Sequence, residues 1–194
     1  GIPTAGFAAA DTLDQLKAAA AELGLPAVLK TRRLGYDGKG QCVIREMTSI
    51  ASAWESIGER PAVLEAFVRF DRELSVLAAR GRDGAIAFYP LVQNHHDEGI
   101  LRLSTAPIVA PALSRQAEAM VGALLEALDY VGVLALELFE QDGRLLANEM
   151  APRVHNSGHW TIEGAETSQF ENHLRAVVGL PLGATTPRGA SAMV

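Results

Sequence analysis

Residues 148–160 read Asn-Glu-Met-Ala-Pro-Arg-Val-His-Asn-Ser-Gly-His-Trp. Within thirteen residues this stretch carries a carboxylate, a guanidinium, two imidazoles, two amides and a hydroxyl, and it directly follows apolar sequence. A buried strand would need a hydrogen-bond partner for each of those groups, which makes an ordinary core role costly. The pattern instead indicates a site that binds a metal ion and an anion.

The residues before this stretch predict a β-hairpin. Residues 132–139 form an apolar strand pattern, Asp142-Gly143 is a typical hairpin turn, and residues 145–149 return beside the first strand. This pairing places Glu137 and Glu149 nearly opposite one another. The hairpin therefore leads two facing carboxylates directly into the polar stretch.

Two facing carboxylates allow two interpretations. They repel each other unless a cation lies between them, and an unpaired Glu137 in an apolar strand would be costly. Mg²⁺ prefers oxygen ligands and is often shared with a nucleotide phosphate, so Glu137 and Glu149 are candidate metal ligands. Alternatively, one glutamate faces solvent and the other pairs with Arg153 or Arg144. The residues alone leave both interpretations open.

A glycine-punctuated loop lies nearer the amino end. Residues 27–30 predict a short strand that ends at Lys30, and residues 42–45 predict the returning strand. Three glycines between them, at 35, 38 and 40, would let backbone amides approach a phosphate, with Lys30 and Lys39 adding positive charge. The spacing is not that of a Walker A loop, so a plain hairpin tip remains the alternative.

A third candidate is the strand pattern of residues 62–68, which runs into a connector followed by Glu73. Backbone groups of residues 65–68 would contact an adenine edge, and Glu73 would accept ribose hydroxyls. The alternative is a plain strand end with a surface salt bridge, and spacing alone favours it.

Other local patterns predict a mixed helical and strand fold. Helices are predicted at 12–23, 49–57, 114–129 and from Ser168, which caps the last helix together with Glu171. The side chains of that last helix predicted to face inward are Phe170, Leu174 and Val177. Further strands are predicted at 73–79, 85–89 and 100–103, and a polar loop at 94–98.

Composition limits the function classes. The 194 residues carry a formal net charge of −6, which argues against nucleic acid as the main partner. The single cysteine, Cys42, has apolar neighbours, which favours a buried strand thiol in a reducing, cytoplasmic setting. No signal peptide and no apolar run of about 20 residues is visible, so no membrane span is expected. The first residue is Gly1, and we expect a piece of a longer protein.

The histidines and Ser157 do not match common catalytic motifs. His95 and His96 are adjacent with no cysteine nearby, which argues against a tetrahedral zinc site. His155 and His159 lack the glutamate of an HExxH zinc protease, and Ser157 lacks a GxSxG context.

The order of these features resembles that of ATP-grasp enzymes. In those enzymes a lysine, a glycine loop, a glutamate at the point where a strand runs into a connector, and a hairpin with two glutamates follow one another. Three motifs are similar to those of the 5-(carboxyamino)imidazole ribonucleotide synthetases of purine biosynthesis. They are Leu-Lys-Thr-Arg from Leu29 with Gly-Tyr-Asp-Gly-Lys-Gly-Gln from Gly35, Phe-Tyr-Pro-Leu at 88–91, and the stretch at 148–161. Leu34 departs from the second glycine of the family, which predicts a stiffer loop entry.

The resemblance covers essentially the entire chain. It implies an α+β ATP-grasp fold with a small lobe at 1–68, which carries the glycine loop, and a large lobe at 69–194, which carries the metal and substrate residues. The two lobes would clasp Mg-ATP.

The resemblance also implies roles for individual residues. Contacts to the nucleotide are expected from Lys30, Tyr36, Asp37, Gly38, Lys39, Gly40, Gln41, Glu65, Ala66, Phe67, Val68, Glu73, His96, Asn148 and Glu149. Ligands of Mg²⁺ are expected to be Glu137 and Glu149. Contacts to the substrates are expected from Tyr36, Arg153, His155, Asn156 and Ser157, and catalytic roles from Asp37, Arg153 and His155.

The implied reaction is the carboxylation of 5-aminoimidazole ribonucleotide by ATP and bicarbonate through carboxyphosphate, in de novo purine biosynthesis. ATP and Mg²⁺ would be the cofactors, the protein a cytoplasmic homodimer, and neither nucleic acid nor membrane a partner. The family's preceding domain and C-terminal tail are missing from this sequence, so we expect the isolated chain to be inactive or nearly so. Two alternatives stay open, namely another ATP-grasp ligase of biotin carboxylase or formate-using transformylase type, and a nucleotide-binding module without turnover.

Overall fold

The computed structural model describes residues 1–33, 40–97 and 99–194. The chain folds into two compact units. Thr4–Arg69 makes up nearly all of the smaller unit, and Gly1–Pro3, Phe70–Asp97 and Leu101–Val194 make up the larger one.

The smaller unit is a four-stranded antiparallel sheet with helices. Its elements are β1 Phe7–Ala10, α1 Leu13–Leu23, β2 Ala27–Thr31, β3 Gln41–Ile44, α2 Ile50–Ser56 and β4 Ala62–Ala66. The strand order is β1-β4-β2-β3, so β2 and β4, which carry Lys30 and Glu65, are the two central strands. The predicted first helix is confirmed: Thr12 Oγ1 accepts from the Gln15 N–H at 3.2 Å, and Leu16, Ala19 and Ala20 are buried.

The larger unit is built on a seven-stranded sheet with α-helices. Its elements are β5 Arg72–Arg80, β6 Ile86–Phe88, β7 Val92–Asp97, β8 Ile100–Ala106, α3 Pro111–Ala127, β9 Gly132–Gln141, β10 Arg144–Ala151, α4 Thr161–Gly164, α5 Gln169–Val178 and β11 Ser191–Met193. The strand order is β10-β9-β5-β7-β8-β11, with β6 paired to β5. The long central strands β5 and β9 are antiparallel neighbours over nine residue pairs.

Strand β9 shows how the sheet places the candidate site. Leu134, Leu136 and Leu138 belong to the core cluster that contains the buried side of α3, and Val133 and Ala135 belong to the cluster on the opposite face. Side chains alternate along a strand, so Glu137 lies on the second face, beyond Ala135. Helix α5 packs against β9 and β5.

The predicted hairpin is confirmed. Strands β9 and β10 pair around Asp142 and Gly143, which have φ of 50° and 72° as the tight turn requires. The predicted helix at 114–129 begins earlier, at Pro111, because proline is well suited to the first helical turn.

The prediction of a polar loop at 94–98 is wrong for residues 94–97. Residues 94–97 belong to β7. Asn94 is buried, and its amide donates to Ser75 Oγ at 3.0 Å while its carbonyl oxygen accepts from Ser104 Oγ at 2.8 Å. Neighbouring strands thus satisfy a polar side chain that a local pattern assigns to a loop.

The inward stripe predicted for the last helix is also wrong. Phe170, Leu174 and Val177 are 36%, 63% and 41% exposed. The buried side of α5 carries Gln169, Asn172 and Ala176 instead. The helix begins as predicted, with Ser168 Oγ accepting from the Glu171 N–H at 3.2 Å. Cys42, expected to be buried, is half-buried in β3.

Candidate active-site residues

The smaller unit carries Lys30 and Glu65. Lys30 Nζ and Glu65 Oε2 lie 2.7 Å apart across the neighbouring strands β2 and β4, and both side chains are three-quarters buried. The Glu65 carboxylate helps to fix the position of the Lys30 ammonium group. The pairing also means that a phosphate would have to share Lys30 with Glu65.

The segment predicted to contact adenine lies where β4 ends. Ala66 is the last residue of β4, and its N–H donates to the Gly6 carbonyl at 2.8 Å. Phe67 follows the strand, is 38% exposed, and donates its N–H to the Pro26 carbonyl at 3.2 Å. Val68 is half-buried in the connector. The segment is therefore held by backbone hydrogen bonds within the smaller unit.

The glycine loop is only partly described. Gly40 has a φ of 78°, its carbonyl accepts from the Thr31 N–H at 2.8 Å, and Gln41 begins β3. The predicted nucleotide contacts at Tyr36, Asp37, Gly38 and Lys39, and the departure at Leu34, lie outside the described residues.

In the larger unit, Glu73 and His96 form a hydrogen-bonded pair. His96 Nδ1 lies 2.9 Å from Glu73 Oε2, and both side chains are mostly buried. The hydrogen bond to Glu73 raises the pKa of His96 above its usual value; burial opposes this, and the charges of Glu73, Glu137 and Glu149 add to it. The pair therefore favours an imidazolium beside a carboxylate.

Glu137 and His155 form a second hydrogen-bonded pair. The His155 Nε2 and Glu137 Oε1 atoms are 3.2 Å apart, and the two side chains are 12% and 18% exposed. Burial alone would raise the pKa of Glu137. The hydrogen bond from His155 and the charges of His96 and Arg153 outweigh burial and lower that pKa below its usual value. Glu137 is therefore an ionised carboxylate near neutral pH.

Glu149 lies directly opposite Glu137 in the β9–β10 register. The register shifts between Ala147 and Glu149, so Asn148 is the extra residue of a β-bulge. The facing arrangement predicted from the sequence is confirmed. None of the ion pairs among the described residues joins Glu137 or Glu149 to Arg144 or Arg153, so the structure does not favour the arginine-pairing interpretation.

The carboxylate pair fits one particular kind of metal site. In the described part of the chain, no group of three or more His, Cys, Asp or Glu side chains is placed to hold a metal ion. Mg²⁺ in nucleotide enzymes commonly takes one or two carboxylates and completes its shell with phosphate oxygens and water. Glu137 and Glu149, with the Asn148 side chain nearby in sequence, suit such a shared ion and do not suit a closed protein cage.

The polar stretch turns sharply after β10. The Arg153 N–H donates to the Ala151 carbonyl at 2.8 Å, and the exposed Arg153 side chain donates to the Val154 carbonyl at 2.9 Å. A short 3-10 turn, Asn156–Gly158, follows, in which Asn156 is exposed and Ser157 is fully buried. Ser157 Oγ lies 2.9 Å from His155 Nδ1, so Ser157 contacts the predicted site through His155.

Sequence reasoning missed one residue that contacts the predicted site. Gln169, fully buried at the start of α5, hydrogen-bonds to the backbone of His155. No local pattern distinguishes it, because a glutamine just after a helix cap is ordinarily a solvent-facing residue. The contact between Phe70 and Phe139 was not predicted either. Their rings stack with centroids 4.6 Å apart, and Phe139 lies on β9 opposite Glu73.

The described helices offer no candidate for a membrane span, since none combines sufficient length with sufficient apolarity. The predicted cytoplasmic location stays a prediction.

Comparisons with known proteins identify the family of the chain. The chain matches the ATP-grasp domain over residues 1–170. It is 61% identical, over all 194 residues, to the N5-carboxyaminoimidazole ribonucleotide synthase of Pseudomonas aeruginosa, and it covers 54% of that protein. The chain thus spans about half the length of the curated relatives that it matches.

Solved structures give the same result. The crystal structure of N5-carboxyaminoimidazole ribonucleotide synthetase from Thermus thermophilus superimposes with a TM-score of 0.94 at 59% identity, covering 100% of this chain and 53% of that one. The Aspergillus clavatus synthase in complex with ADP and 5-aminoimidazole ribonucleotide superimposes with a TM-score of 0.92 at 32% identity, covering 100% and 52%. The family match over most of the chain, together with the superposition on these structures, shows that the chain belongs to the ATP-grasp family.

Proposed function

We propose that the protein uses ATP and bicarbonate to carboxylate 5-aminoimidazole ribonucleotide, giving N5-carboxyaminoimidazole ribonucleotide for de novo purine biosynthesis. The observation that carries the proposal is the β9–β10 hairpin, which places ionised Glu137 opposite Glu149 and leads directly to Arg153 and His155. The similarity over the full chain to proteins of that name supports the choice of substrate.

The hairpin carboxylates would hold Mg²⁺. When bound, this ion neutralises charge on the ATP phosphates during phosphoryl transfer to bicarbonate. Glu137 supports this role because its lowered pKa keeps it ionised, and Glu149 supports it because it faces the same side of the hairpin. On the same unit, the hydrogen bond to Glu73 raises the pKa of His96, which favours its protonated form.

Arg153 and His155 would act on the acyl side of the reaction. The guanidinium of Arg153 uses one N–H on the Val154 carbonyl and has further donors for a small anion such as bicarbonate or carboxyphosphate. His155 presents its Nε2 side to Glu137, beside the proposed cation. Asn156, exposed in the next turn, would donate to the ribonucleotide.

The smaller unit would supply the adenine and phosphate contacts. Lys30 and Glu65 are fixed on the central strands β2 and β4, and residues 66–68 form the connector expected at the adenine edge. Tyr36 and Asp37 would help to exclude water from the reactive intermediate, because carboxyphosphate is short-lived in water. We also propose that the active protein is a homodimer in the cytoplasm.

The test is phosphate release by a full-length version, which carries the segments that the relatives have outside the matched region. Release would be followed with Mg-ATP and bicarbonate, with and without 5-aminoimidazole ribonucleotide. Strong stimulation by the ribonucleotide supports the proposal, and Glu137→Gln should abolish it while Glu126→Gln, an exposed control on α3, should not. Equal release with and without the ribonucleotide would contradict the proposed substrate.

A further inference from the structure

The two ring nitrogens of His155 have different partners. Nε2 faces Glu137 Oε1 at 3.2 Å. Nδ1 faces Ser157, whose backbone N lies 3.3 Å away and whose Oγ lies 2.9 Å away. A backbone N–H can only donate, so Nδ1 is the acceptor nitrogen of the imidazole ring. The proton of the ring is therefore on Nε2, where it is donated to Glu137.

Gln169 holds the backbone of His155 from the other side. The His155 N–H donates to Gln169 Oε1 at 2.9 Å, and Gln169 Nε2 donates to the His155 carbonyl at 2.7 Å. One amide thus bonds to both backbone groups of His155, as a neighbouring strand would do, and the His155 carbonyl also accepts from the Gly158 N–H at 3.0 Å. Two bonds in opposite directions fix both the position and the rotation of the histidine backbone.

Gln169 is itself fixed in place. Its N–H donates to Thr161 Oγ1 at 3.0 Å, and that hydroxyl donates to the Gly158 carbonyl at 2.6 Å. A Cβ on Gly158 would lie 2.7 Å from Gln169 Oε1 and 2.3 Å from Leu77 Cδ2. The glutamine amide therefore occupies a slot that only a glycine at 158 leaves open.

We infer that Gln169 is a positioning residue for the proposed reaction, acting through His155. By holding the His155 backbone, it keeps Nε2–H on Glu137 Oε1 and leaves Glu137 Oε2 for a cation. This role also explains why α5 turns a polar side chain inward and leaves its apolar stripe outside. The inference rests on the proposed function for its catalytic meaning, although the hydrogen-bond geometry stands without it.

The experiment reads the His155 tautomer directly at one pH. The 194-residue protein is labelled with ¹⁵N-histidine, and long-range ¹H–¹⁵N spectra identify which nitrogen of each imidazole carries the proton. His155→Gln assigns the His155 signals. The test variants are Gln169→Met, which keeps the volume and removes both bonds, and Gln169→Glu, which keeps the acceptor and removes the donor. The control is Asn172→Leu, because Asn172 is equally buried on α5 but bonds to Tyr89 and Gly183 instead.

In the wild type we expect a single His155 tautomer with the proton on Nε2. Both Gln169 variants should lose that single state, and Asn172→Leu should retain it even if it is less stable. If the spectrum of the wild-type protein shows the His155 proton on Nδ1, the inference is overturned without any variant. Unchanged His155 signals in a folded Gln169 variant would overturn it too.

A second readout separates this inference from the proposed function. In the full-length version, Gln169→Glu should lower kcat by about tenfold or more, as loss of a supporting contact behind an active residue commonly does, with KM for ATP unchanged. If the ribonucleotide fails to stimulate the wild type but the tautomer results hold, the proposed reaction is wrong and the positioning role stands. If stimulation is strong and Gln169→Glu leaves kcat unchanged, the positioning role is wrong.

Discussion

Replacing Gly158 by alanine should be unusually destabilising for the addition of one methyl group. The new Cβ would lie 2.3 Å from Leu77 Cδ2 and 2.7 Å from Cδ and Oε1 of Gln169. Leu77 and Gln169 are both fully buried, so neither can move into solvent. The φ of Gly158 is not in the left-handed region, so the packing and not the backbone decides the outcome.

The magnitude follows from three terms. Overpacking a tight interior costs about 1–3 kcal/mol. Displacing the Gln169 amide breaks its two hydrogen bonds to His155, at about 0.5–1.5 kcal/mol each. Reduced freedom of the unfolded chain returns about 0.4–1 kcal/mol. The expected loss is therefore about 1–5 kcal/mol, which lowers the melting temperature by about 2–20 °C for a protein of this size.

Thermal and urea unfolding measure this loss, and Gly122→Ala is the matched control. A Cβ at Gly122 would meet only Phe88, at 3.7 Å, inside helix α3. That variant should be as stable as the wild type or gain about 0.5–1 kcal/mol from helix propensity. If Gly158→Ala unfolds at the wild-type midpoint, the tight slot around Gln169 does not exist and the positioning argument fails with it.

Further predictions concern titration, buried contacts and turnover. The pKa of His96 is raised by Glu73. The pair's contribution to stability should therefore be complete below the unfolded pKa of about 6.5 and be lost as the pH rises through the folded pKa. Urea midpoints measured from acid to alkaline pH should show this loss of stability, and Glu73→Gln should make the pH dependence flatter. The pKa of Glu137 is lowered, so the contribution of this carboxylate to stability should be present above the unfolded pKa of about 4.3 and be lost as the pH falls through the folded pKa. In acid unfolding beside the wild type, Glu137→Gln should lose this pH dependence. Asn172→Leu should cost about 1–3 kcal/mol, because it leaves the Tyr89 hydroxyl and the Gly183 backbone without their buried partner; an unchanged urea midpoint would refute this. The isolated 194 residues should release phosphate far more slowly than a full-length version, and matching rates in the same assay would show that the missing segments are not required.

The parts of the fold that sequence predicts are those fixed by local chemistry. The turn at Asp142 and Gly143 needs positive φ at both residues, and the Asp-Gly pair supplies it. The turn then sets the register, so the facing of Glu137 and Glu149 follows from residues within one hairpin. The cap at Thr12 is equally local.

The parts that sequence misses depend on partners far away along the chain. Period alone identifies the Phe170, Leu174 and Val177 stripe but not which side of α5 meets the sheet. That side is decided by Gln169 and Asn172, whose partners are His155 and Tyr89. Likewise, Asn94 becomes a strand residue because Ser75 and Ser104 stand on neighbouring strands, which no window around Asn94 reveals.

The candidate site follows the same division. The residue types at Glu137, Glu149, Arg153 and His155 are visible in the sequence, and so is their order. The protonation of Glu137 and the tautomer of His155 are not, because both are set by distances between β9, the 3-10 turn and α5.

The most direct test of the central claim is whether Glu137 and Glu149 act together on one cation. Calorimetric binding of Mg-ADP would be measured for a full-length version as wild type, Glu137→Gln, Glu149→Gln and the double variant. If both carboxylates hold the same ion, each single change should weaken binding by about tenfold or more, and the double change should be little worse than either one, since residues that act as a unit are not additive. Strictly additive losses, or unchanged affinity in both single variants, would contradict a shared cation site on the β9–β10 hairpin.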